Sequence, residues 1–369
     1  MTYNLVCGFE THVELSTKTK IFCSCPTDFG DEPNSHVCPK CIAEPGTLPV
    51  VNKQTFIYAI RAGLATNCTI SRIVHFDRKN YTYPDLPKAY QLTQFTEPIC
   101  IGGHIKLDSG KIIRINRIHL EEDAGKLIHR GEYTFIDYNR GAVPLIEIVT
   151  EPDISSISEA REYLEKLQLI LRHIEVSDCK MEEGSMRCDV NISVNKTGEK
   201  LGTRSEIKNM NSLSFIEKAI AYEYSRHVSA IQNGEMLYQE TRRFNESDGS
   251  TSAMREKENA QDYRYYDDPD IPTIIIEESF IESIKRSLPE LPIDIRNRYL
   301  NIGLSVSEAD LLIKYKKVAD YFSEAIKTGD PKILSNYILG EIFRLLETEA
   351  KKEIFDILVS PVQLSSLSN

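Results

Sequence analysis

Four cysteines crowd into one short stretch: Cys23 and Cys25, a gap of twelve residues, then Cys38 and Cys41. Two close pairs of thiolates on a loop long enough to fold back can close a tetrahedral site around Zn2+, whose structural sites take four protein ligands. Pro26, Gly30, Pro33 and Pro39 supply the turns such a loop needs. A group of buried, reduced cysteines is the plainer alternative, because Cys-x-Cys is a less usual metal spacing than Cys-x-x-Cys. His36 could replace one thiol or simply face solvent from the loop. Nine cysteines are an odd count for a disulfide framework, and their clustering favours metal in a reducing compartment. The other five are scattered and read as structural.

A second chemistry needs oxygen ligands. If Phe9 to Leu15 is a strand, Phe9, Thr11, Val13 and Leu15 face one way, and Glu10, His12 and Glu14 share the other side. LEEDAGK, Leu120 to Lys126, adds three consecutive acids, and VPLIEIVTEPD, Val143 to Asp153, sets Glu147 and Glu151 on a common strand face. Arg187, Asp189 and Asn191 alternate with Cys188, Val190 and Ile192, as Arg204, Glu206 and Lys208 do with Ser205 and Ile207. A solvated sheet face alternates in the same way, so one such strand means little; several that present acids and bases together point to a site. Carboxylates with an occasional imidazole suit Mg2+, which also takes water and substrate phosphates. The chain has neither a Gly-x-x-x-x-Gly-Lys-Ser/Thr loop nor a Gly-x-Gly-x-x-Gly helix entry, so any nucleotide binds outside the familiar loops.

A third pattern is basic and aromatic. HFDRKNYTYPDLPKAYQ, His75 to Gln91, interleaves Arg78, Lys79 and Lys88 with Phe76, Tyr81, Tyr83 and Tyr90, and TRRF (Thr241 to Phe244) and DYRYY (Asp262 to Tyr266) repeat the theme. Cations hold phosphates and rings stack bases, so these segments suit a single-stranded RNA end. Core tyrosines with a solvated basic rim would look the same.

The elements that must hold these groups read as an α+β fold. Up to about Asn211 short alternating runs broken by Gly, Pro and Asn indicate an antiparallel sheet domain, interrupted by one helix with a possible capping box at Ser156 and Glu159 and apolar positions from Ala160 to Ile174. A second helix runs from Ser212 to Gln232 and ends near Gly234. Beyond Leu288 to Pro292 the texture turns helical, over Leu311 to Ile326 and Ile338 to Ile357. This gives a sheet domain at 1–292, carrying a four-cysteine insertion at 22–42, and an all-helical domain at 293–369.

At 369 residues with 41% hydrophobic and 27% charged content the chain is an ordinary folding polypeptide. No apolar run approaches the ~20 residues a bilayer requires, and Met1 to Gly8 lacks the basic-then-apolar order of a leader, so the expected location is the cytoplasm. A net charge of −11 repels polyanions overall, which confines any nucleic-acid contact to local patches.

Eight blocks then carry a resemblance: GFETHVELSTKTKIFCSC, HFDRKNYTYPDLPKAYQ, RIHLEEDAGKLIH, LIEIVTEPDI, MEEGSMRCDVNISV, EIKNMNS, QETRRF and DYRYYDDPDIP. Together they resemble the GatB family, the B subunits of aspartyl/glutamyl-tRNA(Asn/Gln) amidotransferases. That resemblance implies a cradle-like sheet domain followed by a helical one, with an amidase partner (the A subunit) and a small partner (the C subunit) completing a heterotrimer. It implies that ATP phosphorylates the side-chain carboxylate of Glu on tRNA(Gln), or of Asp on tRNA(Asn), and that ammonia made from glutamine in the amidase displaces the phosphate. Divalent metal and cations are what such a phosphoryl transfer needs. The expected Mg2+ centre is Glu10, His12 and Glu122, supported by Glu147, Glu151, Asp189 and Glu206, with Arg187, Arg204 and Lys208 on phosphates. Relatives continue into a tail domain that grips the tRNA, whereas this sequence stops at Asn369; a naturally absent tail and a shortened chain both fit. Two rivals remain: a zinc-ribbon RNA-binding scaffold without chemistry, which leaves the acidic faces unexplained, and a free-standing ATP-dependent amide ligase acting on a small molecule.

Overall fold

A computed structural model describes residues 3–208, 210–256 and 263–368; Asn209 of the EIKNMNS block and Asp262 of DYRYY lie outside the described residues. The chain divides into two compact units, Met1–Leu171 with Glu175–Leu288, and Arg172–Ile174 with Pro289–Asn369. Among the described residues no helix is long and apolar enough to cross a membrane.

The first unit is built on one large sheet. Its strands begin with β1 (Tyr3–Glu14), β2 (Thr69–Ile70), β3 (Ile73–Val74), β4 (Asp77–Asn80), β5 (Tyr90–Thr93), β6 (Cys100–Ile101), β7 (His104–Lys106) and β8 (Ile112–Glu122). A hairpin of β9 (Lys126–Arg130) and β10 (Tyr133–Asp137) follows, then β11 (Pro144–Thr150), β12 (Met186–Lys196), β13 (Ser205–Lys208), β14 (Glu240–Phe244), β15 (Thr251–Glu256), β16 (Tyr266–Asp267) and β17 (Ile274–Ile275). Thirteen strands join in the order β15-β14-β13-β12-β1-β11-β8-β5-β4-β16, with β2, β6 and β7 alongside. The sheet is antiparallel except where β13 pairs parallel with β14. The connection between those two contains a helix, Leu213–Asn233, and a parallel pair needs such a crossover.

Side-chain alternation gives the sheet two faces. On β1, Cys7, Phe9, Thr11 and Val13 are buried and Glu10, His12 and Glu14 are half-buried. Ile118 and Leu120 of β8, Ile146 and Ile148 of β11 and Val190 and Ile192 of β12 continue the apolar face. The helix α2 (Ile157–His173) covers part of it, the Tyr163 ring stacking on Phe9 at 5.8 Å. The crossover helix, α3 (Leu213–Asn233), packs on β12; Ser212 caps it by accepting from Phe215 N, and Gly234 at φ 71° ends it in the left-handed conformation. At α2, Ser156 accepts from Glu159 N at 3.2 Å, while the Glu159 carboxylate accepts from Ser155 N rather than closing the box on Ser156.

Two features differ from the sequence reading. A helix, α1 (Lys53–Ala65), stands where only strands were expected, capped by Asn52 accepting from Gln54 N. In the second unit the periodic run over 311–326 is two helices, Val306–Ile313 and Lys316–Ala325, parted at Tyr315, whose backbone is extended. The run over 338–357 likewise breaks, into a π-helical turn at Tyr337–Ile342 and a fresh helix at Glu349–Ile354 capped by Thr348. A side-chain period survives a break of two or three residues, so it does not mark one.

Candidate active site

Register across β12, β1, β11 and β8 assembles the polar face. His12 lies opposite Glu147 on one side and Arg187 on the other, Glu147 lies opposite His119, and Glu10 lies opposite Asp189. Asn191 pairs with Glu206, which pairs with Thr241. Five strands, β8, β11, β1, β12 and β13, thus bring imidazoles and carboxylates from distant sequence into one band.

The band contains two clusters that could each hold a metal ion: His12, Glu121 and Glu147, and Glu10, Asp189 and Glu206, with ligand atoms in each set within 4.8 Å of one another. In the first, His12 Nε2 lies 3.5 Å from Glu147 and 3.7 Å from Glu121, and His119 Nε2 lies 3.2 Å from both carboxylates. Burial opposes a charge on His12, yet Glu147, Glu121 and Asp189 more than offset it and hold its pKa above the ordinary value. His119 follows the same balance, burial opposing and Glu147 and Glu121 favouring the charge, and is pushed up to about 9. Burial would raise Glu147, but His119 and His12 hold it well below the usual carboxylate range.

In the second cluster Asn191 donates to Glu10 at 2.8 Å, Thr241 donates to Glu206 at 3.1 Å, and Lys208 bonds Asp189 and reaches Glu206 at 3.0 Å. Burial works against the Lys208 charge, but Asp189 and Glu206 overcome it and raise its pKa. Beside these groups, burial and Asp123 push Glu14 up to about 8, while Arg187, 2.7 Å from Asp123, offsets part of the effect.

Three expected members fall elsewhere. The expected centre of Glu10, His12 and Glu122 is not one cluster: Glu10 falls with Asp189 and Glu206, and His12 with Glu121 and Glu147, while Glu122, because successive strand residues point to opposite faces, is buried on the other side, accepting from Leu92 N at 2.8 Å and paired with Lys88. Glu151 does not share Glu147's cluster, because the register shifts between Val149 and Thr150; it accepts from Asn116 at 2.7 Å. Arg204 is exposed ahead of β13 and, among the described residues, makes no ion pair. Sequence reasoning left out His119 and, of the three acids in LEEDAGK, chose Glu122 over Glu121, although Arg117, His119 and Glu121 alternate with Ile118 and Leu120 in RIHLEED.

The basic-aromatic residues are largely paired. Arg78 lies over the Tyr90 ring at 4.3 Å and bonds Asp268 and Asp270, the latter at 2.9 Å. Lys79 stands over Tyr263 at 4.9 Å, and Phe95 stacks on Tyr265 at 4.1 Å. Arg242 of TRRF is buried against Glu223 at 3.0 Å.

The four cysteines converge. Cys41 Sγ lies 3.7 Å from Cys23, 3.8 Å from Cys38 and 3.9 Å from Cys25. A tetrahedron of ~2.3 Å Zn–S bonds has edges of about 3.8 Å, so the sulfur separations fit that ion. His36 is outside the set; it is buried, not solvent-facing, with Nε2 2.8 Å from Asp31. The loop is stitched to the chain after β10: Asn34 N donates to Asp137 at 3.0 Å, Tyr138 N donates to Asn34 at 2.8 Å, and His36 N donates to Asn139 at 2.8 Å.

The fold and these clusters define a mixed α/β protein with one acid-rich, metal-competent sheet face and a separate four-thiol loop. A family model described as the GatB/GatE catalytic domain matches residues 5–282. Over its whole length the chain is 51% identical to the B subunit of the aspartyl/glutamyl-tRNA(Asn/Gln) amidotransferase of Clostridium botulinum (strain Okra / Type B1), covering 78% of that protein. It is 51% identical to the B subunit of the same name from Caldicellulosiruptor bescii and 50% identical to that from Thermoanaerobacter pseudethanolicus, covering 79% and 78% of them. The chain belongs to the GatB/GatE family.

Proposed function

We propose that this chain is the synthetase-like component of a tRNA-dependent amidotransferase, which phosphorylates the side-chain carboxylate of Glu-tRNA(Gln) or Asp-tRNA(Asn) with ATP and replaces the phosphate with ammonia. The observation that carries this reading is the pair of acid clusters on one sheet face, His12 with Glu121 and Glu147, and Glu10 with Asp189 and Glu206. Their oxygen-rich donors suit Mg2+, whereas the four thiols suit Zn2+. Bound there, Mg2+ would neutralise nucleotide phosphates during phosphoryl transfer. The substrate carboxylate takes the γ-phosphoryl group and ADP leaves; ammonia then attacks the carbonyl carbon, phosphate departs, and the nitrogen loses a proton. Lys208 and Arg187, each held by a carboxylate, present fixed positive charge at the rim of the band, and Arg204 offers an exposed one. The first unit is the cradle for the charged 3′ end, the four-cysteine loop is its zinc-ribbon-like insertion, and an amidase (the A subunit) with a small C subunit completes a cytoplasmic heterotrimer.

The test mixes the chain with candidate A and C subunits and follows amidation of Glu-tRNA(Gln) with and without ATP. Amidation that needs ATP, this chain and the tRNA supports the reading. Turnover of ATP and ammonia by the chain without tRNA overturns it in favour of a small-molecule ligase.

A further inference from the structure

Lys20 is the odd residue near the thiol loop. It has no exposed surface, although it carries an ammonium group. Its Nζ donates to the Tyr138 carbonyl at 3.0 Å and lies 3.5 Å from Cys41 Sγ. Among the described residues no carboxylate pairs with it: the acids nearest in sequence, Glu14 and Asp28, make no ion pair with Lys20, and its hydrogen bonds go to the carbonyl and the sulfur alone. Burying an unpaired ammonium is costly enough that a protein supplies an anion or keeps the group at the surface. Here the only candidate anion among the described residues is sulfur.

We infer that Lys20 is the buried counter-charge of a four-thiolate metal site, so that the occupied cluster is anionic and the lysine belongs to its outer shell. Four thiolates around a divalent cation carry a net charge of −2, and the Cys41 sulfur is the corner of the tetrahedron that faces Nζ. Changing a partner outside the ligand set typically costs about ten- to a hundredfold in metal affinity. The second bond of Lys20 gives the charge a mechanical consequence. Tyr138, whose carbonyl it holds, donates its hydroxyl to Pro84 O at 2.8 Å. The cluster is therefore wired through one ammonium to the loop that carries Lys88, the partner of Glu122. The inference rests on the metal reading of the thiol loop.

The inference makes two effects run in opposite directions, which a packing role cannot do. Lys20→Met removes the charge and keeps the length. In the metal-loaded chain it should release zinc to a chromogenic chelator about ten- to a hundredfold faster than wild type, while the Co2+-substituted protein keeps the absorption bands of four-thiolate coordination. In the metal-stripped chain, where Lys20 has lost its anion, the same substitution should raise the thermal midpoint above that of stripped wild type. Lys20→Arg, which keeps the charge, should restore slow release. Equal release rates for wild type and Lys20→Met overturn the inference, as does a Lys20→Met chain less stable than wild type both loaded and stripped, or one that fails to fold. Equally fast release from Lys20→Arg and Lys20→Met also overturns it. Wild-type chain from zinc-replete expression with less than about a tenth of an equivalent of zinc sinks instead the metal reading beneath it.

Discussion

Two adjacent glutamates divide the chemistry of β8. Glu121 accepts from Thr93 Oγ1 at 2.8 Å and faces His12 and His119, whereas Glu122 is buried with Lys88 on the opposite side. Glu121→Gln keeps the shape and removes the charge that a divalent cation would use. It should lower tRNA-dependent ATP cleavage by about a hundredfold or more, as loss of a preorganised electrostatic group does, and leave the glutaminase reaction of the amidase detectable. Glu10→Ala and His12→Ala should behave alike. Glu122→Gln leaves the Lys88 ammonium without its buried anion, so its main effect should be a lower unfolding midpoint. Steady-state kinetics beside thermal melts decide this; a normal rate for Glu121→Gln with a dead Glu122→Gln would return the centre to Glu122.

The sheet edge beyond β13 depends on a buried ionic junction. Glu223 of α3 is fully buried, lies 2.8 Å from Arg226, 3.0 Å from Arg242 of β14 and 3.4 Å from His227, and accepts from Thr251 of β15. Burial would raise its pKa, but the hydrogen bonds of His227, Arg226 and Thr251 more than reverse that and hold it at about 2. A folded pKa below the unfolded value of about 4.3 contributes stability that is present above the unfolded value and lost as pH falls toward the folded one. Wild type should therefore lose stability between about pH 4.5 and pH 2 through this group. Glu223→Gln should be less stable at neutral pH by about 3–5 kcal/mol, the range for breaking a buried pair, and lack that part of the acid dependence. Denaturant melts at several pH values test it, and parallel acid profiles for the two proteins would refute the assignment.

The thiol loop gives a second test of how segments depend on one another. Apart from bonds to the flanking chain at Thr17, Lys20 and Val50, its hydrogen bonds run to residues 136–139, and none of these goes to β1, β11 or β12. Removing zinc should speed amide exchange at Tyr138 and in 31–36 while the strands of the acid face keep their protection; uniform loss of protection would show that the loop supports the whole unit. What sequence disclosed here follows from range. Alternation on β1, β12 and β13, and the cap signals at Ser212 and Gly234, are local and were legible. Which glutamate meets His12 depends on the pairing of β1 with β11 and β11 with β8, more than a hundred residues apart along the chain for β1, and no local pattern encodes it. The helix α1 escaped notice because its buried face is made largely of small residues, Ala59, Ala62, Gly63 and Ala65, which carry little periodic signal; its cap residue Asn52 was the clue available.

At a net charge of −11 the chain can approach a polyanion only where cations are not already neutralised. Most of those the sequence offered are engaged: Arg78 with Asp268 and Asp270, Lys88 with Glu122, Arg187 with Asp123, and Lys208 with Asp189 and Glu206. Lys79 and Arg204 differ. Lys79 lies over the rings of Tyr81 and Tyr263 and helps, behind the nearer His119, to hold the Glu121 carboxylate low against burial and Glu147. Arg204 is exposed. Each phosphate contact adds roughly 0.7–0.9 to the slope of log affinity against log salt, and a cation already paired with a carboxylate exchanges one partner for another and adds little. Within the full complex, Lys79→Ala and Arg204→Ala should therefore each flatten the salt dependence of tRNA binding by roughly 0.7–0.9, while Arg78→Ala and Arg187→Ala should leave the slope near wild type even where they weaken binding. Fluorescence anisotropy with labelled tRNA at several salt concentrations measures the slopes of all these variants against wild type. If Arg78→Ala and Arg187→Ala flatten the slope as much as the other two, the ion pairs seen in the free chain open on binding, and the charge available to tRNA is larger than the paired arrangement allows.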